Sequence, residues 1–311
     1  MNVFDPSELE RLYKPHPNSS GEDNGQVTII GGSKLFHGAP LLSLKMASRI
    51  VDMVFFASPE PSVGGVAERI RSELFSFIWV PWREVEAYIE KSDAVLIGPG
   101  LMRFTSESQN PNDKIQMTND EEGRKTKDIT KSLLIKFPAK KWVIDAGSLQ
   151  TMDAEWIPEG AILTPNIKEF KILFGSKQPV ASSKQNESQA TNYMLQATSS
   201  MSKKYNCTIV LKGPETVVCS PDECVVVRGG NPGLTKGGTG DVLAGLTVAL
   251  LAKNDPFLAA TSASYIAKAA ADELYKEVGV NYNADDLADK IPVTYRSLTF
   301  RPRVFTARME T

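Results

Sequence analysis

The sequence predicts an α/β sandwich built on a mostly parallel sheet, and three observations carry that prediction. Short apolar runs alternate with helical stretches along most of the chain, the pattern of parallel strands joined by crossover helices. Several of these runs stop at glycine or at a short polar turn, at the strand ends where open α/β sheets place their binding loops. No internal repeat and no linker interrupts the 311 residues. One domain over residues 1–292 is therefore expected, followed by a tail at 293–311.

Asp5, Pro6 and Glu8 form a helix-start pattern of cap, first-turn proline and capping-box acid. Beyond a polar loop, Val27-Thr28-Ile29-Ile30 is a buried strand ending at Gly31-Gly32, and Gly38-Ala39-Pro40 opens a helix carrying Leu42, Met46 and Ile50. Met53 to Ala57 and Asp93 to Ile97 are the next strands, the second closed by Gly98-Pro99-Gly100. Residues 104–127 then turn polar and read as an exposed, partly disordered excursion. Trp142 to Asp145 resumes the sheet, and Ala161 to Leu163 leads into Thr164-Pro165-Asn166-Ile167-Lys168-Glu169. After a polar patch at 178–189, Ala190, Tyr193, Met194, Ala197 and Met201 mark one helix face. Thr208 to Leu211 precedes Lys212-Gly213, and two short strands, Thr216 to Cys219 and Val225 to Arg228, form a hairpin turning at Pro221-Asp222. Helices over 257–278 and 285–289 follow, and the residues after Pro292 show no clear period.

Asn231-Pro232-Gly233-Leu234-Thr235-Lys236-Gly237-Gly238-Thr239-Gly240-Asp241 is the stretch around which this pattern is organised. It runs directly into Val242 to Ala252, apolar on every face and so a buried helix. A glycine-rich turn at a helix start offers backbone N–H groups and the positive end of the macrodipole to an anion. Asp241 could serve only as a helix starter, but capping does not account for Gly237, Gly238 and Gly240 together. The stretch has neither the Gly-Lys-Ser/Thr ending of a P-loop nor the spacing of a dinucleotide fingerprint. Asn166 and Glu169 read as a polar pair aimed at one place, because Pro165 fixes the turn before them.

Composition narrows the function classes. A net charge of -2 with no basic run argues against a nucleic-acid partner. No apolar run can span a bilayer and the first 14 residues are charged throughout, so no membrane association is expected and a cytoplasmic location is. Three cysteines and two histidines are too few and too scattered for zinc. Isolated buried thiols in a reducing compartment are the expectation.

Taken together, these loops resemble the ribokinase-like NAD(P)H-hydrate dehydratases, which repair hydrated nicotinamide cofactors. The likeness runs from about residue 26 to 292, outside 104–127, and is densest from Asn231 to Gly245. Supporting matches are Ile30-Gly31-Gly32-Ser33 with Gly38-Ala39-Pro40, Ile97-Gly98-Pro99-Gly100-Leu101, Thr164-Pro165 with Glu169-Phe170, Leu211-Lys212-Gly213 with Thr216, and Asp285-Asp286-Leu287 before Ile291-Pro292. Gly-Thr-Gly-Asp alone is shared with small-molecule kinases of the same superfamily; the Asn-Pro-Gly-Leu lead-in and the Gly-Ala-Pro helix start narrow it. The chain departs from the family at Asn166, often His in bacterial members, at Met102, and at Asp145-Ala146-Gly147-Ser148.

The resemblance implies a three-layer α/β/α sandwich and a nucleotide-dependent dehydration of (6S)-NAD(P)H hydrate to NAD(P)H with release of phosphate. ADP or ATP is the implied co-substrate and Mg²⁺ the implied metal. Asp241 is the implied catalytic base, with Gly237, Gly238, Thr239 and Gly240 at the phosphates. Lys212, Gly213, Pro214, Glu215 and Thr216 would line the adenine nucleotide, and Ala39, Gly100, Asn166 and Asp241 the hydrate. Glu169 and Asn166 would hold the metal, directly or through water. A homo-oligomer is expected. So is a separate NAD(P)H-hydrate epimerase in the same pathway, since the 25 residues before Gln26 cannot hold a fused one. A vitamin-precursor kinase and a catalytically weak nucleotide-binding module are the alternatives.

Overall fold

A computed structural model describes residues 2–70, 74, 76–104, 115–175 and 187–299. Among these residues nine strands make one sheet: β1 (Gln26–Ile30), β2 (Met53–Ala57), β3 (Ile78–Trp79), β4 (Ala94–Ile97), β5 (Lys141–Ile144), β6 (Ile162–Leu163), β7 (Thr208–Leu211), β8 (Thr216–Cys219) and β9 (Cys224–Val227). Their order is β3-β2-β1-β4-β5-β6-β7-β8-β9. Every pair from β3 to β7 is parallel, and β8 and β9 complete the sheet as an antiparallel hairpin. The helices are α1 (Gly38–Ala47), α2 (Pro61–Ile70), α3 (Val85–Lys91), α4 (Ile115–Lys136), α5 (Ala146–Thr151), α6 (Ile167–Phe174), α7 (Glu187–Tyr205), α8 (Thr239–Lys253), α9 (Pro256–Val278) and α10 (Ala284–Thr299).

Strand alternation divides the core into two layers. Val27 and Ile29 of β1, with Ala94 and Leu96 of β4, pack beneath α1, α8, α9 and α10. Ile30, Val95 and Ile97 face the opposite way, beneath α3, α4, α5, α6 and α7. Both faces of the central strands are therefore covered, which is why they read as continuous apolar runs rather than as alternating ones. The expected three-layer sandwich is present. α8 is apolar on every side because it lies between the sheet and its neighbours α1 and α9.

Several local expectations change. Residues 115–127 belong to α4, not to an extended excursion. Its buried stripe begins with Gly123, Thr126 and Thr130 before reaching Leu133 and Leu134. These small residues have helical spacing but little hydropathy, so the window reads as polar. Gly123 lies against the ring of Phe104, where a Cβ would come within 2.7 Å. Residues 105–114 of the expected excursion, 178–186 of the second polar patch and 300–311 of the tail lie outside the described residues. The rest of the tail is helical: α10 continues through Pro292 to Thr299. Leu287, Ala288, Ile291 and Thr294 form a buried face against α9, and that packing outweighs the hydrogen bond the proline removes.

At the N-terminus, Pro6–Arg11 is a 3₁₀ turn capped by Asp5, which accepts from the Ser7 amide at 2.9 Å. Glu8 pairs with Arg11 instead of closing a capping box. The two residues of β3 gave no sequence signal. The cysteines are not all isolated: Cys219 and Cys224 face each other in the β8–β9 register and form a disulfide, with Cα atoms 4.1 Å apart. Cys207 is free and buried, and burial pushes its thiol pKa up to about 12. No helix among the described residues is long and apolar enough to cross a membrane.

Candidate functional site

The parallel register decides which residues meet. Ile30 pairs with Ile97, Ile97 with Ile144, Ile144 with Leu163, and Leu163 with Ile209. The carboxyl ends of β1, β4, β5 and β6 are thus level, β7 runs two residues further, and the residues just beyond them converge at one sheet edge. Asp145 follows β5, Thr164 to Asn166 follow β6, and Lys212 follows β7, its amide donating to the Pro165 carbonyl at 2.9 Å. Gly98 makes room for this arrangement: with φ at +123°, it lies so near the Asp145 carbonyl that a Cβ would stand 1.8 Å from the oxygen.

Asp145 is 1% exposed. Its Oδ1 accepts from Lys212 Nζ at 3.0 Å and from Thr164 Oγ1 at 2.8 Å. Lys212 Nζ also stands 3.8 Å from Glu169 Oε2. Burial works against the lysine's charge, but Asp145 and Glu169 outweigh it and hold the Lys212 pKa above its ordinary value. Glu169 is buried as well, and burial, only partly opposed by Lys212 and reinforced by Asp145, raises its pKa.

Asn166 and Glu169 close a capping box on α6. Asn166 Oδ1 accepts from the amides of Lys168 and Glu169 at 2.8 and 3.0 Å, while Glu169 Oε2 accepts from the Asn166 amide at 2.8 Å. Glu169 Oε1 takes a further bond from Gln150 Nε2 at 3.1 Å. The pair is therefore turned first on itself, rather than aimed jointly outward as the fixed turn suggested. Both lone pairs of the Asn166 oxygen are occupied, so direct metal ligation by that atom would break the cap. Each Glu169 oxygen keeps a free acceptor site. Among the described residues no three His, Cys, Asp or Glu side chains are disposed to hold a metal on their own.

The glycine turn approaches the same cluster from the other side. Asn231 caps a 3₁₀ turn over Pro232–Thr235. Thr239 Oγ1 donates to the carbonyls of Leu234 and Lys236 at 2.7 and 2.9 Å, and Lys236 Nζ reaches the carbonyls of Val280 and Tyr282. Gly238 starts α8 with φ at +94°, and a Cβ there would stand 2.5 Å from Leu42 and 2.8 Å from Ala284. α8 begins without a side-chain cap. Its first helical bond runs from the Val242 amide to the Gly238 carbonyl, so the Gly240 amide precedes the helical ladder, in the position where helix starts offer N–H groups to anions. The position of a Gly240 Cβ would be 3.5 Å from Lys212 Nζ, so Lys212 is the junction between the strand-end carboxylates and the turn.

Asp241 occupies the first turn of α8 beside this junction. Ser43 Oγ of α1 donates to its backbone carbonyl at 2.7 Å. Burial, reinforced by the charges of Asp145 and Glu169 and partly offset by Lys212, lifts its carboxyl pKa to about 7. A carboxyl poised near neutrality can accept a proton at working pH.

A cleft of about 540 Å³ opens next to the turn, walled by the β7–β8 loop, by Gly229 to Asn231 and by α9. Asn166, Lys212, Gly213, Pro214, Thr216, Thr239 and Gly240 line it. Glu215 is not part of that lining; it is engaged by Thr191 Oγ1 at 2.7 Å and Arg228 Nε at 2.9 Å. Gly237 is exposed at the tip of the turn. Gly100 lies against the start of α1, where a Cβ on it would come within 2.5 Å of the Phe36 carbonyl and 2.9 Å of Pro40, the residue after Ala39. Asp145, Gln150, Thr164 and Lys268 belong to this neighbourhood although the sequence assigns none of them a role in the site. Asp145 carried a signal, a carboxylate one residue beyond a buried strand. Lys268 had a faint one, a lone cation on the alanine-rich face of α9.

Comparison with known proteins gives concordant results. A sequence profile for a family described as NAD(P)H-hydrate dehydratase matches residues 27–293. A bifunctional NAD(P)H-hydrate repair enzyme of Methanocaldococcus jannaschii is 33% identical over 290 residues, covering 92% of this chain and 51% of that protein. The chain thus spans about half the length of the bifunctional relatives it matches. An ADP-dependent (S)-NAD(P)H-hydrate dehydratase of Nitrosopumilus maritimus is 29% identical over 290 residues, covering 86% of this chain and 88% of the relative. The structure of an ADP/ATP-dependent NAD(P)H-hydrate dehydratase from Bacillus subtilis, co-crystallised with ATP and Mg²⁺, superposes with a TM-score of 0.70. That match is 20% identical, covers 96% of this chain and 98% of the other, and speaks to the fold.

Proposed function

The chain belongs to the NAD(P)H-hydrate dehydratase family, and from that premise we propose that it restores NAD(P)H from its 6S hydrate at the expense of ATP or ADP. The observation that carries the proposal is Asp241, its carboxyl pKa near 7 at the start of α8, close to a lysine that faces the same glycine turn.

The nucleotide lies in the cleft with its phosphates at the Gly237 to Gly240 turn, and the hydrate lies toward Ala39 and Gly100. Ionised Asp241 takes the proton of the C6 hydroxyl, and the hydroxyl oxygen attacks the terminal phosphoryl group. The bond from that phosphorus to the bridging oxygen breaks, and ADP or AMP leaves. Lys212, held charged by Asp145, stands where it can stabilise the transferring phosphoryl. Phosphate is a far better leaving group than hydroxide. Its departure from C6, assisted by the ring nitrogen lone pair and completed by loss of a C5 proton, regenerates the dihydropyridine. Mg²⁺, when bound, neutralises phosphate charge and keeps much of its water shell. Glu169, with its free acceptor sites, fits a water-mediated contact to it, and Asn166 serves by fixing Glu169.

The test is to incubate the protein with hydrated NADH and either nucleotide and to follow the absorbance of the reduced ring. Recovery of NADH with one phosphate released per turnover is the expected result. Accumulation of a phosphorylated product without NADH would mark kinase chemistry instead, and nucleotide binding without turnover would mark a binding module.

A further inference from the structure

Lys268 lies on α9, apart from the residues assigned to the phosphoryl transfer. It is 6% exposed, yet among the described residues its ammonium group makes no close ion pair. Instead it donates to three backbone carbonyls: Gly213 at 3.3 Å, Pro214 at 2.6 Å and Gly229 at 2.9 Å. The first two belong to the β7–β8 loop, and the third follows β9. All three residues line the cleft, as does Lys268 itself. One turn further along α9, Asp272 accepts from the Gly230 amide at 2.9 Å and from Asn231 Nδ2 at 3.2 Å. The two side chains thus tie both walls of the cleft to one helix.

A buried ammonium is costly to desolvate and is normally retained only where all its protons are satisfied. Three carbonyls from two separate loops meet that requirement only while the loops keep their present spacing. A carbon side chain would take the Lys268 donor from the Pro214 and Gly229 carbonyls and leave Gly213 with only Thr216 Oγ1 at 3.3 Å, and the loops would relax apart. From this geometry we infer that Lys268 is a positioning residue, which sets the width of the cleft and through it the affinity for the adenine nucleotide. The inference rests on the cleft being the nucleotide site of the proposed reaction. Lys268 touches no reacting atom, so its effect belongs to binding and not to the chemical step.

Burial lowers the Lys268 pKa to about 8, against the opposing charges of Asp272 on its own helix and Glu215 on the β7–β8 loop. Arg228 pairs with Glu215, and Lys212 lines the same cleft. The Lys212 pKa is raised, so that lysine keeps its charge as pH rises through 8, and Glu215 is held below the ordinary carboxylate range, first by Thr191. Loss of the Lys268 proton removes one of the three donors. The clasp then weakens as pH rises through about 8.

The experiment measures ADP binding to the full chain by calorimetry, alongside steady-state rates with the hydrate, for the wild type and Lys268→Met. The expected result is a loss of ADP affinity of about tenfold or more in Lys268→Met, a parallel rise in nucleotide KM, and kcat within about twofold. Wild-type affinity should also fall between pH 8 and 9.5, above the range in which Asp241 and the terminal phosphate of ADP titrate. Lys268→Met should lose that dependence. If the variant binds ADP like the wild type, or if both show the same pH slope, the inference is overturned. Should Lys268→Met fail to fold, the wild-type series decides alone, and a flat profile from pH 8 to 9.5 overturns it. A protein that binds ADP in this manner yet forms no NADH would refute the proposed reaction while leaving the role of Lys268 standing.

Discussion

Replacing Asp241 by Asn keeps the volume of the side chain and removes one negative charge from a site that already holds Asp145 and Glu169. The carboxyl pKa is 3.8 in an ordinary setting and about 7 here, a displacement of about three pH units. The folded state therefore holds this proton more tightly than the unfolded chain does. Its contribution to stability is complete below pH 3.8 and is lost as pH rises through about 7. At about 1.4 kcal/mol per pH unit the ceiling is ~4 kcal/mol, and water in the cleft screens the partly buried carboxylate to roughly half of that. Asp241→Asn should accordingly be the more stable protein at pH 8, with Tm higher by about 3–5 °C for a chain of this length. That advantage should shrink toward pH 4. Turnover should fall by about two to four orders of magnitude, the usual cost of a missing general base. Thermal melts at pH 4, 5 and 8, paired with dehydratase rates at pH 8, read both quantities. A variant with wild-type turnover would refute the catalytic role. A variant less stable at pH 8 than the wild type would refute the electrostatic account of the site.

The same carboxyl predicts that kcat/KM rises with pH and levels off above about 7 as Asp241 ionises; a rate profile flat from pH 5.5 to 8.5 would contradict it. Asn166→Ala should lower stability by about 1 kcal/mol through loss of the α6 cap, and Asn166→Ser should recover most of it. Both variants should retain their Mg²⁺ dependence if Glu169 is the residue that reaches the metal, and titration of activity with Mg²⁺ tests this. Gly238→Ala should cost about 1–3 kcal/mol, since it strains a left-handed backbone and drives a methyl group into Leu42 and Ala284. Nucleotide affinity should drop with it as the turn shifts, which calorimetry would detect.

Much of the architecture was legible because its causes are local. Runs such as Val54 to Ala57 and Val95 to Ile97 are apolar at every position, which only strands covered on both faces require. The turn from Gly237 to Asp241 was legible for the same reason: its glycines and the helix start that follows act on their nearest neighbours. Where local pattern was silent or misleading, small residues or hydrogen bonds did the work of large apolar ones. Gly123, Thr126 and Thr130 bury a stripe of α4 that hydropathy registers as polar. The packed face of α10 carries the helix past Pro292. Asn166 and Glu169 were singled out from sequence, but their first task is the capping box, an ordinary local motif hidden behind the proline that precedes it.

The sequence by itself determined that the chain forms a mostly parallel sheet with helices on both sides and carries an anion-binding turn before a buried helix. Tertiary structure alone decided the chemistry around that turn. Asp145, Glu169, Lys212 and Asp241 are far apart in sequence and meet only because the parallel register levels four strand ends while α8 enters from the opposite side. The lifted pKa of Asp241 belongs to that meeting, since it comes from burial and from carboxylates no sequence neighbour supplies. The grip of Lys268 on carbonyls 39 to 55 residues away has the same origin. Backbone conformation and apolar patterning follow from near neighbours along the chain, whereas desolvation and charge–charge coupling depend on distances through space, which only the folded chain sets.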